Sequence, residues 1–168
     1  GSRIFDYPVL GTDEDLPVLL KDCKNVLIAI GQIETPEPRM RLFELLRQFD
    51  CVLPVIVSPH AYVSPHAKLD TGTIVMHGSV VNAGAEVGGN CIINSQSLIE
   101  HDVVIEDHCH IATAAKINGG VYIGKGTFIG SNSSVRQCIK IGERCIIGMG
   151  QQVLVDCEKE VSMPCEKS

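Results

Sequence analysis

A chain of 168 residues, 45% hydrophobic and 20% charged, has room for one sizeable core, and its length excludes two full-sized domains. With 14 basic against 20 acidic residues the net charge is −6, which argues against a nucleic-acid or anionic-membrane surface as the main partner. No apolar run approaches the roughly 18 to 20 residues of a membrane span, and Gly1-Ser2-Arg3 lacks the layout of a signal peptide, so a cytoplasmic chain is expected.

Residues 1–56 alternate strand and helix signals. Tyr7 to Leu10 predicts a short strand, and Thr12 with Asp15 three residues on predicts a capping box opening a helix over Asp13 to Lys21. Asn25 to Ile30 (NVLIAI) reads as a buried strand ending at Gly31, Pro36 to Phe49 as a second helix, and Val52 to Val57 as a returning strand. Together they predict a small α/β (Rossmann-like) domain over 1–56. A doubly wound nucleotide fold opens with a strand, a Gly-rich loop and a helix. Nothing of that kind stands before Arg3, so the α/β part is expected to be truncated, with Gly1-Ser2 an expression scar.

From Val57 every sixth residue is aliphatic, through Val63, Leu69, Val75 and onward to Val153, without one slip. Four places after each lies a mostly small residue: Ala61, Thr73, Ala85, Cys91, Cys109, Ser133 and Cys145 among them. Neither a 3.6-residue period nor simple alternation gives this pattern, whereas a short strand and a turn on each side of a triangular coil does. Three sides of one hexad each close a coil, so the 100 residues from Val57 to Asp156 predict between five and six coils, stacked as parallel strands. Gly124, Gly130, Gly142 and Gly148 are expected at tight corners. Cys91, Cys109, Cys145 and Cys157 fall in the small-residue slot, so packing accounts for them without a disulfide or zinc framework. The fold class is mainly β, a parallel β-helix prism over 57–157 followed by a tail over 158–168.

These hexads, with the run NSQSLIEHDVVIEDHCHIATAAKINGGVYIGKGTFIGS from Asn94 to Ser131, resemble the hexapeptide-repeat acyltransferases. More narrowly they resemble the branch that acetylates bacterial sugars, the nucleotide-amino-sugar N-acetyltransferases and sialic-acid O-acetyltransferases. The resemblance extends to YPVLGTDEDL and IAIG and implies a left-handed coil, a hand that periodicity alone does not give. It departs where a Gly-rich loop and an acidic pair would precede YPVLG, and where Ser162-Met163-Pro164-Cys165 replaces a Gly-x-Pro-Ala turn.

Acetyl transfer from a thioester needs a base for the attacking amine or hydroxyl and a donor for the developing oxyanion. His101, two residues after Ile99 and between Glu100 and Asp102, points away from the packed interior, where a carboxylate can fix its tautomer. The resemblance makes His101 the proton acceptor and Asp102, in place of the family's usual Glu, the residue that strengthens it. His110, one and a half sides further on, faces another way. By resemblance it reaches the acetyl-CoA carbonyl across the interface of a homotrimer. Ser131 and Met149 match positions along the coenzyme arm. Asn94 and Gly31 match positions near the acceptor, although an Asn at a β-helix corner is more often structural and Gly31 also reads simply as a strand-ending turn.

Gly119-x4-Gly124-Lys125 approaches a phosphate loop, but Gly126 replaces the required Ser or Thr and the segment runs in register with the hexads. His60, His66, His77 and His108 lack metal spacing and are expected to be solvated. Lys116, Lys125, Lys140 and Arg144 could meet coenzyme phosphates or only keep the prism soluble. The reading is an acetyl-CoA-dependent enzyme acetylating a nucleotide-linked amino sugar in bacterial glycan biosynthesis. O-acetylation of a sialic-acid-like sugar and a non-catalytic β-helix scaffold are the alternatives.

Overall fold

The computed structural model describes residues 2–163; Gly1, and with it half of the expected scar, and Pro164-Cys165 with the rest of the tail lie outside the described residues. From Ile56 the chain winds as a left-handed parallel β-helix of about six turns. Each side contributes a two-residue strand, and strands pair with the third strand after them, one coil on, as in Leu98↔Lys116 and Ile99↔Ile117, until the end, where Ile146–Ile147 pairs with Ser162–Met163, the second strand after it. Three sheets result. The first face stacks seven strands from Ile56–Val57 to Ser162–Met163, the second six from Tyr62–Val63 to Gln152–Val153, and the third five from Lys68–Leu69 to Lys140–Ile141.

The second residue of each strand is the hexad aliphatic and points inward. From Val75 to Val153 these side chains are 0–3% exposed, and the small slot between them (Thr73, Ala85, Cys91, Cys109, Ala115, Cys145) is sealed as well. Removing such an isoleucine from water contributes about 1.5–3 kcal/mol. Stacking in strict register repeats that contribution coil after coil.

The corner glycines have a reason other than the turn. A Cβ on Gly130 would stand 2.5 Å from the Gly148 carbonyl carbon and the Met149 nitrogen, so the glycine clears the backbone of the next coil. The left-handed residue of each turn lies two positions further on, as at Asn90, Asp102, His108, Gly126 and Arg144.

Ahead of the prism, Arg3–Ile4 (β1) and Tyr7–Pro8 (β2) form an antiparallel hairpin. Thr12 caps the next turn, its N–H donating to Asp15 Oδ2 at 2.8 Å, and helix α1 spans Leu16–Asp22. Helix α2 spans Glu37–Leu46. The expected buried strand over 25–30 is not formed. Among the described residues its one strand-like pairing is the bridge Asn25↔Val52; Ile28 is buried in the core with Val26 partly buried against it, and Leu27 and Ile30 are exposed. A strand is buried on both faces only when sheet neighbours and covering layers flank it, and here one edge pairs at one point.

A small core of Leu20, Ile28, Phe43, Leu46 and Leu53 holds this segment. Helix α2 lies along the corner between the third and first faces, where the Phe43 ring meets the His108 ring edge-on at 5.3 Å. His108 is therefore buried, not solvated as expected, because the helix covers its corner. No helix among the described residues is long and apolar enough to cross a membrane.

Candidate active site

His101 and Asp102 occupy the corner between the second and third faces, just after the strand Leu98–Ile99. Asp102 takes the left-handed conformation at φ 58°, which Asp tolerates better than most residues, and so turns its carboxylate back onto the neighbouring ring. His101 Nδ1 donates to Asp102 Oδ2 at 2.9 Å. That hydrogen bond raises the imidazole pKa above its ordinary value, and the charges of Asp102 and Glu100 add to the rise. With the proton on Nδ1, the Nε2 lone pair is free. Both side chains are largely exposed, at 66% and 72%.

Two glycines make room for the pair, each one coil away. A Cβ on Gly119 would fall 2.6 Å from His101 Nε2, and one on Gly84 would collide with Asp102 Oδ1. Gly84 also has φ +75°, which a side chain would strain. The result is an open groove of about 450 Å³ beside Nε2, lined by Glu100, His101, Asn118, Gly119, Gln137 and Cys138. A basic nitrogen held by a carboxylate, facing open space, can take a proton from a nucleophile lying in the groove.

His110 lies elsewhere. It begins the strand His110–Ile111 on the first face and is buried beneath Gln32, with its ring edge-on to Phe128 at 5.2 Å. Its Nδ1 donates to the Gln32 carbonyl at 2.5 Å. The ring's Nε2 accepts from Asn94 Nδ2 at 3.2 Å, and Asn94 is itself oriented by its Oδ1, which accepts the Ser95 N–H at 2.7 Å. Burial holds the His110 pKa below its ordinary value, while the bond to the Gln32 carbonyl opposes that shift. The Gln32 loop engages this ring although no local pattern brings it near residue 110.

Asn94, Ser131 and Met149 share the remaining corner, between the first and second faces; Ser131 is half-buried and Met149 64% exposed. Gly31 borders a shallow cavity of about 410 Å³ with Gln32, Ile33, Glu34 and Thr35, and nothing stands within 4 Å of where its Cβ would be. Within one chain the second face separates His101 from the Ser131 and Met149 corner. The structure thus brings His101 to Asp102 and His110 to Asn94, and leaves the two pairs apart.

Sequence reasoning passed over Gly84, took Gly119 only as part of a false phosphate loop, and passed over Gln32 and Arg39. The first two were findable by counting three hexads back from Asp102 and three hexads on from His101; the other two act across the junction and carry no periodic signal.

Residues 120–150 match the family described as bacterial transferase hexapeptide (six repeats). No curated protein matches the chain. PerB from Caulobacter crescentus, solved in complex with CoA and GDP-perosamine, is 31% identical with a TM-score of 0.90, over 95% of this chain and 76% of that one. The chain is a hexapeptide-repeat acyltransferase of the bacterial sugar acetyltransferase branch. A variant of perosamine N-acetyltransferase from the same organism superposes with a TM-score of 0.91 at 29% identity, over 96% of this chain and 76% of that one. The acetyltransferase domain of PglB from Neisseria gonorrhoeae, in complex with acetyl coenzyme A, gives 0.90 at 27% identity, over 95% and 77%. These family members share both parts of the chain, since the matched share includes the α/β segment as well as the prism.

Proposed function

We propose that this acyltransferase moves the acetyl group of acetyl-CoA to the amine of a nucleotide-linked amino sugar, with His101 as general base. The observation that carries the reading is the exposed His101 ring, clamped by Asp102 at 2.9 Å with Nε2 over the Gly119 groove. Complexes of similar proteins with CoA, acetyl coenzyme A and GDP-perosamine support the co-substrate and the acceptor class.

In this reading the amine lone pair attacks the thioester carbonyl carbon while His101 Nε2 takes the amine proton. As the tetrahedral intermediate collapses, the carbon–sulfur bond breaks and the imidazolium returns the proton to the departing thiolate. Asp102 accepts from Nδ1 throughout and stabilises the transient positive charge. No covalent acyl-enzyme is invoked: among the described residues the His101 ring donates its hydrogen bond to Asp102, and Cys138, which also lines the groove, faces the Gly119 carbonyl.

His110, Ser131 and Met149 are assigned to the coenzyme, Asn94 and Gly31 to the acceptor side. Because the second face separates the His101 corner from the Ser131 corner, the site is completed by a neighbouring copy, and a homotrimer with three equivalent sites satisfies this. Mixed trimers of His101→Ala and Met149→Trp chains would then recover activity at sites formed from two intact corners. Domain limits of 1–56 for acceptor binding and 57–157 for transfer, and a cytoplasmic location, belong to the same reading.

The test is thiol release from acetyl-CoA with a panel of UDP- and GDP-linked amino sugars, and with sialic acids as the competing acceptors. Release with an amino sugar alone supports N-acetylation. Release only with a sialic acid moves the chemistry to oxygen, and no release with any acceptor leaves a scaffold.

A further inference from the structure

Arg39, on helix α2, is a charged residue only 1% exposed, and no carboxylate touches its guanidinium among the described residues. It donates through Nη1 to the carbonyls of Ile28 at 2.5 Å and Ile30 at 3.0 Å, and through Nε to the carbonyl of Asn90 at 3.3 Å. Burial pulls its pKa below the ordinary arginine value. A cation taken out of water without a counter-charge is costly, and an apolar side chain of similar volume would fill the space at lower cost. What an apolar residue could not do is hold three carbonyls with one planar fork.

Those carbonyls are informative. Two flank the end of the extended segment that leads into Gly31, and the third belongs to the prism corner that also carries His108. On the far side of Gly31, His110 Nδ1 holds the Gln32 carbonyl, and Gln32 Nε2 reaches the Gly126 carbonyl at 3.2 Å. The peptide groups before and after Gly31 are thus fixed to the prism, while Gly31 itself faces open space beside the Gly31–Thr35 cavity. A loop pinned on both sides with an open glycine between is the arrangement by which backbone groups meet a ligand without a side chain in the way.

We infer that Arg39 is a positioning residue for the acceptor. It fixes the Ile30 carbonyl, so that the Gly31 backbone is presented to the nucleotide sugar at a set distance from the prism. This rests on the placement of the acceptor beside Gly31 proposed above.

The experiment compares wild type, Arg39→Lys and Arg39→Met as full chains, varying nucleotide sugar and acetyl-CoA separately and following amide exchange at Gly31 and Gln32. Arg39→Met is expected to raise the acceptor KM about 10- to 100-fold, the range for lost charge-assisted bonds, with the acetyl-CoA KM within about twofold. Arg39→Lys should recover part of that loss. Exchange at residues 31 and 32 should quicken in both variants while the prism amides stay protected. An unchanged acceptor KM in Arg39→Lys, which keeps the charge if the Met variant does not fold, overturns the inference. Equal rises in both KM values, or unaltered exchange at the loop, do the same. Absence of turnover by the wild type with every nucleotide sugar would instead overturn the substrate reading, and the exchange arm would still report on the pinning.

Discussion

The prism and the α/β segment solve the same problem in opposite ways. Inside the prism each aliphatic rests on its equivalent in the next coil, and Ile93, Ile99, Ile111, Ile117 and Ile129 are all at 0% exposure. The segment closes its core with a handful of residues, and Phe5, Leu10, Val18 and Ile33 stay 64–91% exposed. Buried polar bonds tie it to the prism: Arg39 to Asn90, Gln32 to Gly126, His110 to Gln32. One region is stable because it repeats, the other because it leans on the repeat. The division predicts that transfer chemistry and acceptor placement respond to different mutations.

The largest expected effect is on transfer. His101→Ala should lower kcat by about 10²- to 10⁴-fold, the usual contribution of a general base. Because the ring is 66% exposed, the melting temperature and both KM values should hardly move. A loss of activity matched by a loss of stability would mean that the residue is structural, and the comparison would fail at its first point. Asp102→Asn should cost less and also shift the pH profile. The hydrogen bond to Asp102 raises the His101 pKa, and the basic form is lost as pH falls through that value, so the variant's acid limb should move to lower pH.

Next comes the contrast between the two cores. Ile117→Ala should destabilise the prism by about 2–5 kcal/mol, since the rigid coils above and below cannot collapse into the cavity. Leu46→Ala, at 3% exposure in the smaller core, should leave the prism's thermal transition in place and open the segment to protease. A single shared transition lowered equally by both substitutions would show that the regions unfold as one unit.

How much of this was legible follows the same division. The hexad aliphatics announced the prism because each contact is with a residue at a fixed sequence distance, so periodicity and packing are one signal. His101 was readable because a corner position two residues beyond an inward aliphatic must face outward. The burial of His108 was not readable, since Phe43 covers it from a helix remote in the chain, and neither was the engagement of His110 by Gln32. The segment 25–30 misled because an apolar run signals a buried strand only if partners cover both sides. Arg39 gave no warning at all, because its acceptors are main-chain carbonyls, which any sequence supplies.

The junction should also be sensitive to acid. His108 and His110 both have pKa values lowered from 6.5, in each case chiefly by burial. Around His108, Lys125 and Arg39 add to the lowering while Asp107 and Glu44 oppose it; around His110, Arg39 adds and the Gln32 carbonyl opposes. A released segment would let both rings bind protons more readily than the docked state does. Their contribution to docking is therefore complete above about pH 6.5 and lost as pH falls through the depressed folded values. Hydrogen exchange between pH 7.5 and 5 should show amides 26–46 losing protection while the prism interior keeps it. Uniform loss of protection across both regions would contradict the reading.

The smallest effect is expected where the junction looks most obviously tied. Arg144, on the same corner column as Asn90 and His108, forms an ion pair with Glu37 at the start of α2. Both side chains are about half exposed, at 45% and 56%, and an exposed pair of this kind contributes no more than about 1 kcal/mol after screening and side-chain ordering. A double-mutant cycle of Arg144→Ala and Glu37→Ala, read by chemical denaturation at low and high salt, should give a coupling below about 1 kcal/mol that shrinks with salt. The buried contacts of Phe43 and Arg39 would then account for docking. A coupling above about 2 kcal/mol, insensitive to salt, would move the hold to the outside of the junction and weaken the case for Arg39 as the residue that places the acceptor loop.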